Sequence, residues 1–222
     1  MSIFEQLLKN KGTTSSALGK KLADQVINGD EKILLEAIKF VKYDLKNEKS
    51  KNIRAGAAKI IEKVAEKKPE YISSYLKDLL PALDADEPQT RWMIIMTFGY
   101  CANLNPKIAS KGIPYAKSFI SEQQGVCLSG AAELYLGFIG AKSSELAESI
   151  LPILLDAYDN PLPNEMDWIL EAFLRIIDKV STNNQKTILE CAIEQMEAFK
   201  PSTKKRAEKL SKKIKSINLQ KE

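Results

Sequence analysis

The chain has 222 residues, of which 44% are hydrophobic and 28% are charged, values typical of one folded domain or one repeat array. It contains no histidine, which excludes Ser-His-Asp and Cys-His catalysis and the common histidine-containing zinc and iron sites. The formal net charge is +4, but residues 200 to 222 carry nine basic and two acidic side chains, so the rest of the chain is slightly acidic.

The sequence also lacks the signals of membranes and nucleotides. No apolar run approaches the roughly 18 residues that a membrane-spanning helix needs, and the first residues lack the apolar segment of a signal peptide. Neither G-x-G-x-x-G nor G-x-x-x-x-G-K-[ST] occurs. We therefore expect a cytoplasmic protein without membrane association, with no cofactor, no metal ion and no catalytic residues.

An internal repeat begins within the first third of the chain. Arg54 opens the segment RAGAAKIIEKVAEKKP, and Arg91, thirty-seven residues later, opens RWMIIMTFGYCANLNP. A second interval of thirty-seven residues after Arg91 brings the Gly-Ala-Ala of residues 130–132 into the register of residues 56–58. A later segment, RIIDKV at 175–180, resembles KIIEKV of the first copy. A period of this length is typical of helical repeat proteins.

The segments between these copies carry apolar residues at helical spacing, as the stripe Ile72, Leu76, Leu79, Leu80 and Leu83 illustrates. No sustained alternation or Asn-Gly hairpin indicates strands. The sequence therefore predicts an all-α fold of paired amphipathic helices, each about 13 to 16 residues long. Since one pair cannot bury its apolar face alone, residues 1–222 should form a single α-solenoid domain. The predicted pairs are 2–28, 31–66, 69–103, 106–140, 144–180 and 184–217.

Three cysteines, Cys101, Cys127 and Cys191, occur without any C-x-x-C spacing. Each stands among apolar residues, so we expect all three to be small buried side chains. A nucleophilic cysteine normally needs an adjacent base, most often histidine.

The repeats resemble the HEAT family, which is similar to armadillo repeats. Ile53-Arg54 followed by Ala57, and Thr90-Arg91 with Asp86 before it, resemble the turn aspartate and Val-Arg signature of that family. Leu128 and Leu170 replace the arginine in later copies. The resemblance implies a right-handed α-α superhelix, a HEAT/armadillo-like solenoid of about six helix pairs. It also implies a concave surface, lined by the second (B) helix of each pair, that holds another macromolecule.

Polar and aromatic residues of the B helices are the candidates for that concave surface. The two tryptophans of the chain lie seventy-six residues apart, about two repeats, and are interpreted either as a pair of binding anchors or as packing residues between repeats. The candidate binding residues are Trp92, Met96, Tyr100, Glu133, Trp168, Glu171 and Arg175.

A more specific resemblance concerns HEAT-like DNA glycosylases of alkylated bases, which carry tryptophans on concave helices. Their catalytic Asp one turn after the first Trp corresponds to Met96 here, and the next repeat offers Glu133 where they have an Arg. Asp167 and Glu171 flank Trp168, but in a different arrangement. The chain therefore resembles these enzymes in its expected shape but lacks their catalytic residues.

The C-terminal segment predicts an amphipathic helix with Ala207, Leu210, Ile214 and Ile217 on its apolar face. It is interpreted either as a cap that keeps the array soluble or as a patch that binds nucleic-acid phosphates. The candidate patch residues are Lys204, Lys205, Arg206, Lys209, Lys212 and Lys213.

Two functions follow from these observations. The first is a non-enzymatic scaffold or adaptor that binds another protein. The alternative is a nucleic-acid-binding protein related to the HEAT-like glycosylases. The two differ in salt dependence, because phosphate binding weakens steeply with salt.

Overall fold

The computed structural model describes residues 2–10 and 17–219, and in this part of the chain every regular element is helical. The chain divides into two compact units, Met1–Tyr115 and Ala116–Glu222, and the division falls within one helix. The α-helices are α1 (Ile3–Lys9), α2 (Ala17–Ile27), α3 (Glu31–Phe40), α4 (Lys51–Lys67), α5 (Leu76–Leu79), α6 (Pro88–Tyr100), α7 (Pro106–Ala109), α8 (Ile113–Ser121), α9 (Val126–Gly140), α10 (Ser144–Asp159), α11 (Met166–Ile176), α12 (Thr182–Glu194) and α13 (Pro201–Leu219).

Helix α4 is the centre of the first unit. It packs against α2 and α3 on one side and against α6 on the other. Ile53, Ala57, Ile61 and Val64 recur at helical spacing, and all four are buried. The side chain of Leu7 from α1 lies over Gly56, where even a Cβ atom would come within 2.6 Å of it. A helix with apolar residues on several faces is stable only when several neighbours cover it.

The segment from residue 69 to residue 84 differs from the predicted regular helix. It consists of 3₁₀ turns at Pro69–Tyr71, Ser73–Tyr75 and Leu80–Asp84, with α5 as its only α-helical turn. Pro69 and Pro81 lack the N–H that a continuous helix would need. The predicted apolar stripe is nevertheless buried at Ile72, Leu76, Leu79 and Leu83, because 3₁₀ and α turns keep nearly the same face. Residues 106–121 are interrupted similarly, by a 3₁₀ turn at Ser110–Gly112.

Helix α9 has the corresponding central position in the second unit, between α10 and α11. Three of its glycines allow α11 to approach closely. A Cβ atom at Gly130 would lie 2.6 Å from the ring of Trp168, and one at Gly140 would lie 2.6 Å from Ile176. Helix α13 packs on α11 and α12 through its buried residues Ala207, Leu210 and Ile214.

Arg54 connects three parts of the first unit through its guanidinium group. Its Nε and Nη2 atoms donate to the carboxylate of Glu87, at 2.9 and 2.5 Å. Its Nη1 donates to the carbonyl of Asn47 at 3.1 Å and to those of Tyr43 and Asp44. Arg54 is 1% exposed and Glu87 is 8% exposed, so the pair is buried. The hydrogen bonds of Arg54 connect the first turns of α4 to the turn after α3 and to the start of α6.

We expect Leu76→Ala to lower the free energy of unfolding by about 2 to 5 kcal/mol, because Leu76 is fully buried and alanine leaves a cavity. Urea unfolding monitored by circular dichroism measures the change. Leu104→Ala is the matched control, since Leu104 is 52% exposed and the change should be within about 0.5 kcal/mol. Equal losses in the two variants would contradict the assigned core.

We expect Arg54→Leu to cost about 3 to 5 kcal/mol of stability, because the carboxylate of Glu87 would stay buried without its cation. The control in the same helix is Lys51→Leu, which removes an exposed ion pair with Glu48 worth about 1 kcal/mol or less. Chemical unfolding of both variants tests the expectation, which fails if Arg54→Leu costs no more than Lys51→Leu.

Candidate functional site

In the first unit, Trp92 is a half-buried ring on α6 that contacts a cation from the neighbouring helix. The Nζ atom of Lys59 lies 5.2 Å from the ring centroid. Lys59 is itself buried and pairs with Glu62 at 3.2 Å. A cation over an indole face is attracted by the negative face of the ring. This contact holds the Trp92 ring in place while part of the ring remains exposed.

In the second unit, Trp168 packs against the neighbouring repeat. Its ring covers Gly130 of α9, so part of its surface is used for packing between helices. Arg175 lies on the same helix, with its guanidinium carbon 3.9 Å from the centroid of Phe138 and its Nη2 3.3 Å from Glu171. Trp168, Glu171 and Arg175 all keep part of their surface exposed.

Two of the predicted surface residues are buried, which corrects their placement. Met96 is 5% exposed and Glu133 is fully buried, so neither presents a surface to a macromolecule. Both lie on helices, α6 and α9, that are apolar on most sides, so the spacing of their apolar residues does not show which side faces solvent. Tyr100, at the end of α6, is half-buried.

Glu133 and Glu165 form a pair of buried carboxyl groups in the second unit. Glu133 is 0% and Glu165 is 2% exposed. Burial raises the pKa of Glu133 to about 10, and the neighbouring carboxylate of Glu165 adds to this shift. Glu133 therefore carries its proton at neutral pH. The Oε2 atom of Glu165 accepts the backbone N–H of Leu162 at 2.5 Å. A side-chain hydrogen bond between Glu133 and Glu165 also favours the protonated form of Glu133.

Glu165 lines a pocket of about 380 Å³ in the second unit. Its polar wall includes Lys117, Ser129 and Asp156, and its apolar wall is formed by Ile120, Pro152 and Ile153. The pocket thus joins apolar surface to a buried carboxylate, the combination expected of a small-ligand site. A pocket of about 390 Å³ in the first unit is lined by Arg54 and Glu87, whose charges already satisfy each other.

The predicted basic patch on α13 divides into two sets. Arg206 lies 3.5 Å from Asp167, and Lys213 pairs with Asp178 and donates to the Leu174 carbonyl, so these two cations serve the contact with α11. The exposed set lies on the opposite face from Ala207, Leu210 and Ile214. It consists of Lys204, Lys205, Lys209 and Lys212, and the exposed Lys215, which was not among the predicted patch residues, extends it.

Asp167 is engaged by the start of α13 and is not free for chemistry. It accepts hydrogen bonds from Ser202 at 2.8 Å and Thr203 at 2.6 Å, and it pairs with Lys200 at 2.8 Å. Burial alone would raise the pKa of Asp167, but the hydrogen bonds from Lys200, Thr203 and Ser202 outweigh burial and lower the pKa. A carboxylate held in this way stabilises the docking of α13 on α11.

The cysteines differ from one another in burial. Cys101 and Cys191 are buried, as predicted, and burial raises their pKa values to about 12 and about 11. Thiols with such values are poor nucleophiles at neutral pH. The prediction for Cys127 was wrong, because this residue is exposed in the first turn of α9. Apolar neighbours in sequence do not bury a residue that faces away from the packed side of its helix.

The described residues provide few sites of other kinds. No three acidic or cysteine side chains among them come together in a way that would hold a metal ion. None of their helices combines the length and the apolar character needed to cross a membrane.

Comparison with known proteins gives matches in structure only. No protein-family model and no curated protein matches the sequence. The structure is similar to the crystal structure of an engineered protein from a structural genomics consortium, with 16% identity over 97% of this chain and 98% of that one and a TM-score of 0.62. It is also similar to a designed armadillo repeat protein, with 13% identity, coverage of 94% and 97%, and a TM-score of 0.63. The fold is an armadillo/HEAT-like helical repeat.

Neither Glu165 nor the buried pairing of Arg54 with Glu87 was predicted from the sequence. The sequence contains a signal for both, because Glu87 and Glu165 each immediately precede a B helix. A carboxylate at this position favours the helix start through the peptide dipoles. The sequence does not show, however, which cation in another repeat reaches it.

We expect the free energy of unfolding to depend on pH through Glu133. Its folded-state pKa of about 10 lies above the ordinary value of 4.5, so its contribution is fully present below about 4.5 and is lost as the pH rises toward 10. Glu133→Gln should remove a decline on the order of 1 kcal/mol per pH unit between about pH 6 and about pH 9. Urea unfolding at the two pH values measures this slope.

Glu190→Gln is the matched control, because Glu190 is exposed on α12. It should keep the pH slope of the unsubstituted protein. The same slope in Glu133→Gln and in Glu190→Gln would show that Glu133 does not hold its proton.

Proposed function

We propose that the protein is a non-enzymatic scaffold that binds another protein through partly exposed B-helix side chains. The observation that carries the proposal is the repeat fold, in which rigidly packed helices hold aromatic rings at fixed positions. In the first unit the candidate anchor is Trp92, and in the second unit it is Trp168. Each is half-buried, fixed by a neighbouring helix and still partly accessible.

Fixed aromatic rings suit protein recognition for an energetic reason. Tryptophan supplies a large contact area, and a ring that is already held loses little further freedom when a partner binds. Lys59 holds the Trp92 ring, and Gly130 provides the surface under Trp168. Binding energy is then not spent on ordering these side chains.

The charges near the anchors favour a protein over a polyanion. Glu171 and Arg175 lie one and two turns after Trp168 and pair with each other. In the first unit, Lys59 is paired with Glu62. A surface of mixed, internally paired charge lacks the single positive sign that phosphate backbones require.

The test places a photo-crosslinking amino acid at Trp92, at Trp168 or, as the control, at the fully exposed Phe199. We expect irradiation in an extract of the source cell to give one discrete protein adduct at Trp168 or Trp92 and none at Phe199. Trp168→Phe should then weaken binding of the purified partner about tenfold, because phenylalanine buries less aromatic area in the interface than tryptophan does. Adducts at all three positions alike, or at none, would overturn the proposal.

A second measurement, of DNA binding, tests the alternative that the protein binds nucleic acid. Fluorescence anisotropy with labelled duplex and single-stranded DNA, at about 50 and about 200 mM salt, would show a steep loss of affinity if phosphates bind the exposed lysines of α13. The proposed scaffold predicts no binding at either salt concentration. Salt-sensitive binding that is lost in Lys205→Gln/Lys209→Gln/Lys212→Gln would replace the proposal.

A further inference from the structure

Two stripes of partly exposed side chains lie next to each other on helices α9 and α11 of the second unit. On α11 the stripe consists of Trp168, Glu171 and Arg175, which share one face of the helix. Gly130 of α9 lies under the Trp168 ring, and a Cβ atom at Gly137 would come within 3.1 Å of the Cδ atom of Arg175. The two helices therefore run in the same direction, and positions that face each other are about one repeat apart.

The stripe on α9 starts with apolar side chains and ends with a cation. It consists of Leu134, Phe138 and, just after the end of the helix, Lys142, all half-buried. The guanidinium carbon of Arg175 lies 3.9 Å from the centroid of the Phe138 ring. The exposed Lys179 continues the α11 stripe by one turn and lies near Lys142, because burial and then the charge of Lys179 lower the pKa of Lys142. We call the two stripes together the α9–α11 face.

Arg175 is held in place before any ligand binds. Its aliphatic chain lies against Gly137, and its guanidinium lies over the ring of Phe138. Its one hydrogen bond among the described residues joins Nη2 to Glu171 at 3.3 Å, while 33% of the side chain stays exposed. The Nη1 atom is therefore left to bond water or a ligand. A guanidinium that is already fixed loses little freedom when it binds a carboxylate.

The cations of the α9–α11 face outnumber its carboxylates. Glu171 is shared by two arginines, because Nε of Arg206 from α13 also lies 3.9 Å from its carboxylate. Neither Lys142 nor Lys179 has a carboxylate within ion-pair distance in the part of the chain that the structure describes. One carboxylate, Glu171, thus stands among four cations, which are Lys142, Arg175, Lys179 and Arg206.

Apolar surface borders this positive charge. Leu134 and Trp168 are both partly exposed near the start of the face, away from the lysines at its end. On the far side of Arg206, the exposed Lys209 of α13 extends the positive charge. An acidic chain that also carries an apolar side chain complements both parts. A phosphate backbone fits less well, because Glu171 lies in the middle of the face and repels phosphates.

We infer that the α9–α11 face binds an extended acidic segment of a partner protein, with a carboxylate of the segment at Arg175 and Arg206 and an apolar side chain against Trp168. The inference rests on the proposed function, since it gives the chemistry of the segment that Trp168 would contact. Tryptophan and arginine are the residues that most often dominate the binding energy of protein interfaces.

The spacing of the two contacts limits the sequence of the segment. They lie about one helix spacing of 8 to 10 Å apart across α11 and up to about two turns apart along it. An extended chain covers such a distance in about three to four residues. The apolar residue of the segment should therefore stand about three or four positions from its acidic residue.

Tryptophan fluorescence tests the inference in the Trp92→Phe variant, in which Trp168 is the only tryptophan. The probe is the capped peptide Ac-Leu-Ser-Ser-Glu-Glu-NH₂, which has the required spacing. We expect a saturable change in the emission of Trp168. The neutral peptide with Gln for Glu and the basic peptide with Lys for Glu should bind at least about tenfold more weakly, because they lack the carboxylates. No saturation with the acidic peptide, or equal affinity for the basic one, would overturn the inference.

Variants locate the binding. Arg175→Gln and Arg206→Gln should each weaken binding of the acidic peptide about tenfold. Lys186→Gln is the matched control, because Lys186 is exposed on α12, outside the face, and its affinity should not change. Circular dichroism verifies folding, and Arg206→Gln, at a half-exposed position, keeps the test available if Arg175→Gln does not fold. Full affinity in folded Arg206→Gln, or an equal loss in Lys186→Gln, contradicts the assignment to this face.

Failure of the inference is distinguishable from failure of the scaffold proposal. If a protein crosslinks at Trp168 and the purified partner binds Arg175→Gln and Arg206→Gln at full affinity, the inference is wrong and the scaffold proposal stands. If the acidic peptide binds but no protein crosslinks at Trp92 or Trp168, the scaffold proposal is wrong and the preference of the face for acidic peptides stands. Displacement of the peptide by single-stranded DNA at about 200 mM salt would identify nucleic acid as the ligand and refute the inference.

Discussion

Contact between successive B helices is the constraint on which the rest of the structure depends. In the first unit α4 packs along α6, and in the second unit α9 packs along α11. None of these helices could bury its apolar surface alone, because that surface extends over more than one face. In the second unit the approach is so close that Gly130 and Gly140 leave room for Trp168 and Ile176 only by having no side chain. The remaining helices cover the outside of these pairs.

Polar groups near the helix starts form hydrogen bonds and ion pairs between one repeat and the next. A carboxylate immediately before a helix interacts favourably with the unpaired N–H groups at the helix start. Glu87 and Glu165 both occupy this position. Once the B helices pack, these carboxyl groups are buried and need hydrogen-bond donors or a cation. Arg54 meets that need within the first unit. In the second unit, the equivalent register holds Leu128, and the group beside Glu165 is the carboxyl of Glu133, which burial keeps protonated.

Periodicity in the sequence was enough to predict the all-helical repeat fold and much of its core. The stripe of Ile72, Leu76, Leu79 and Leu83 is buried as predicted, even though proline turns that segment into 3₁₀ and α turns. Periodicity fails where a helix is apolar on every side. From Arg91 to Gly99, every residue except Trp92 is buried, so the spacing of residues in α6 does not indicate which side faces solvent. Met96 and Glu133 were therefore assigned to a surface that they do not reach.

The candidate sites were the least predictable part because they depend on which residues break the repeat rather than on which residues form it. Arg54, Arg91 and Leu128 occupy one register, and Lys59, Met96 and Glu133 occupy another. The backbone frame tolerates all of these side chains, since helix packing is set by the apolar positions around them. A change from Arg to Leu alters little in the frame, but Leu128 cannot supply the ion pair that Arg54 makes with Glu87 in the first unit. In a repeat protein, the polar side chain at one register can thus change from copy to copy while the helical frame stays the same.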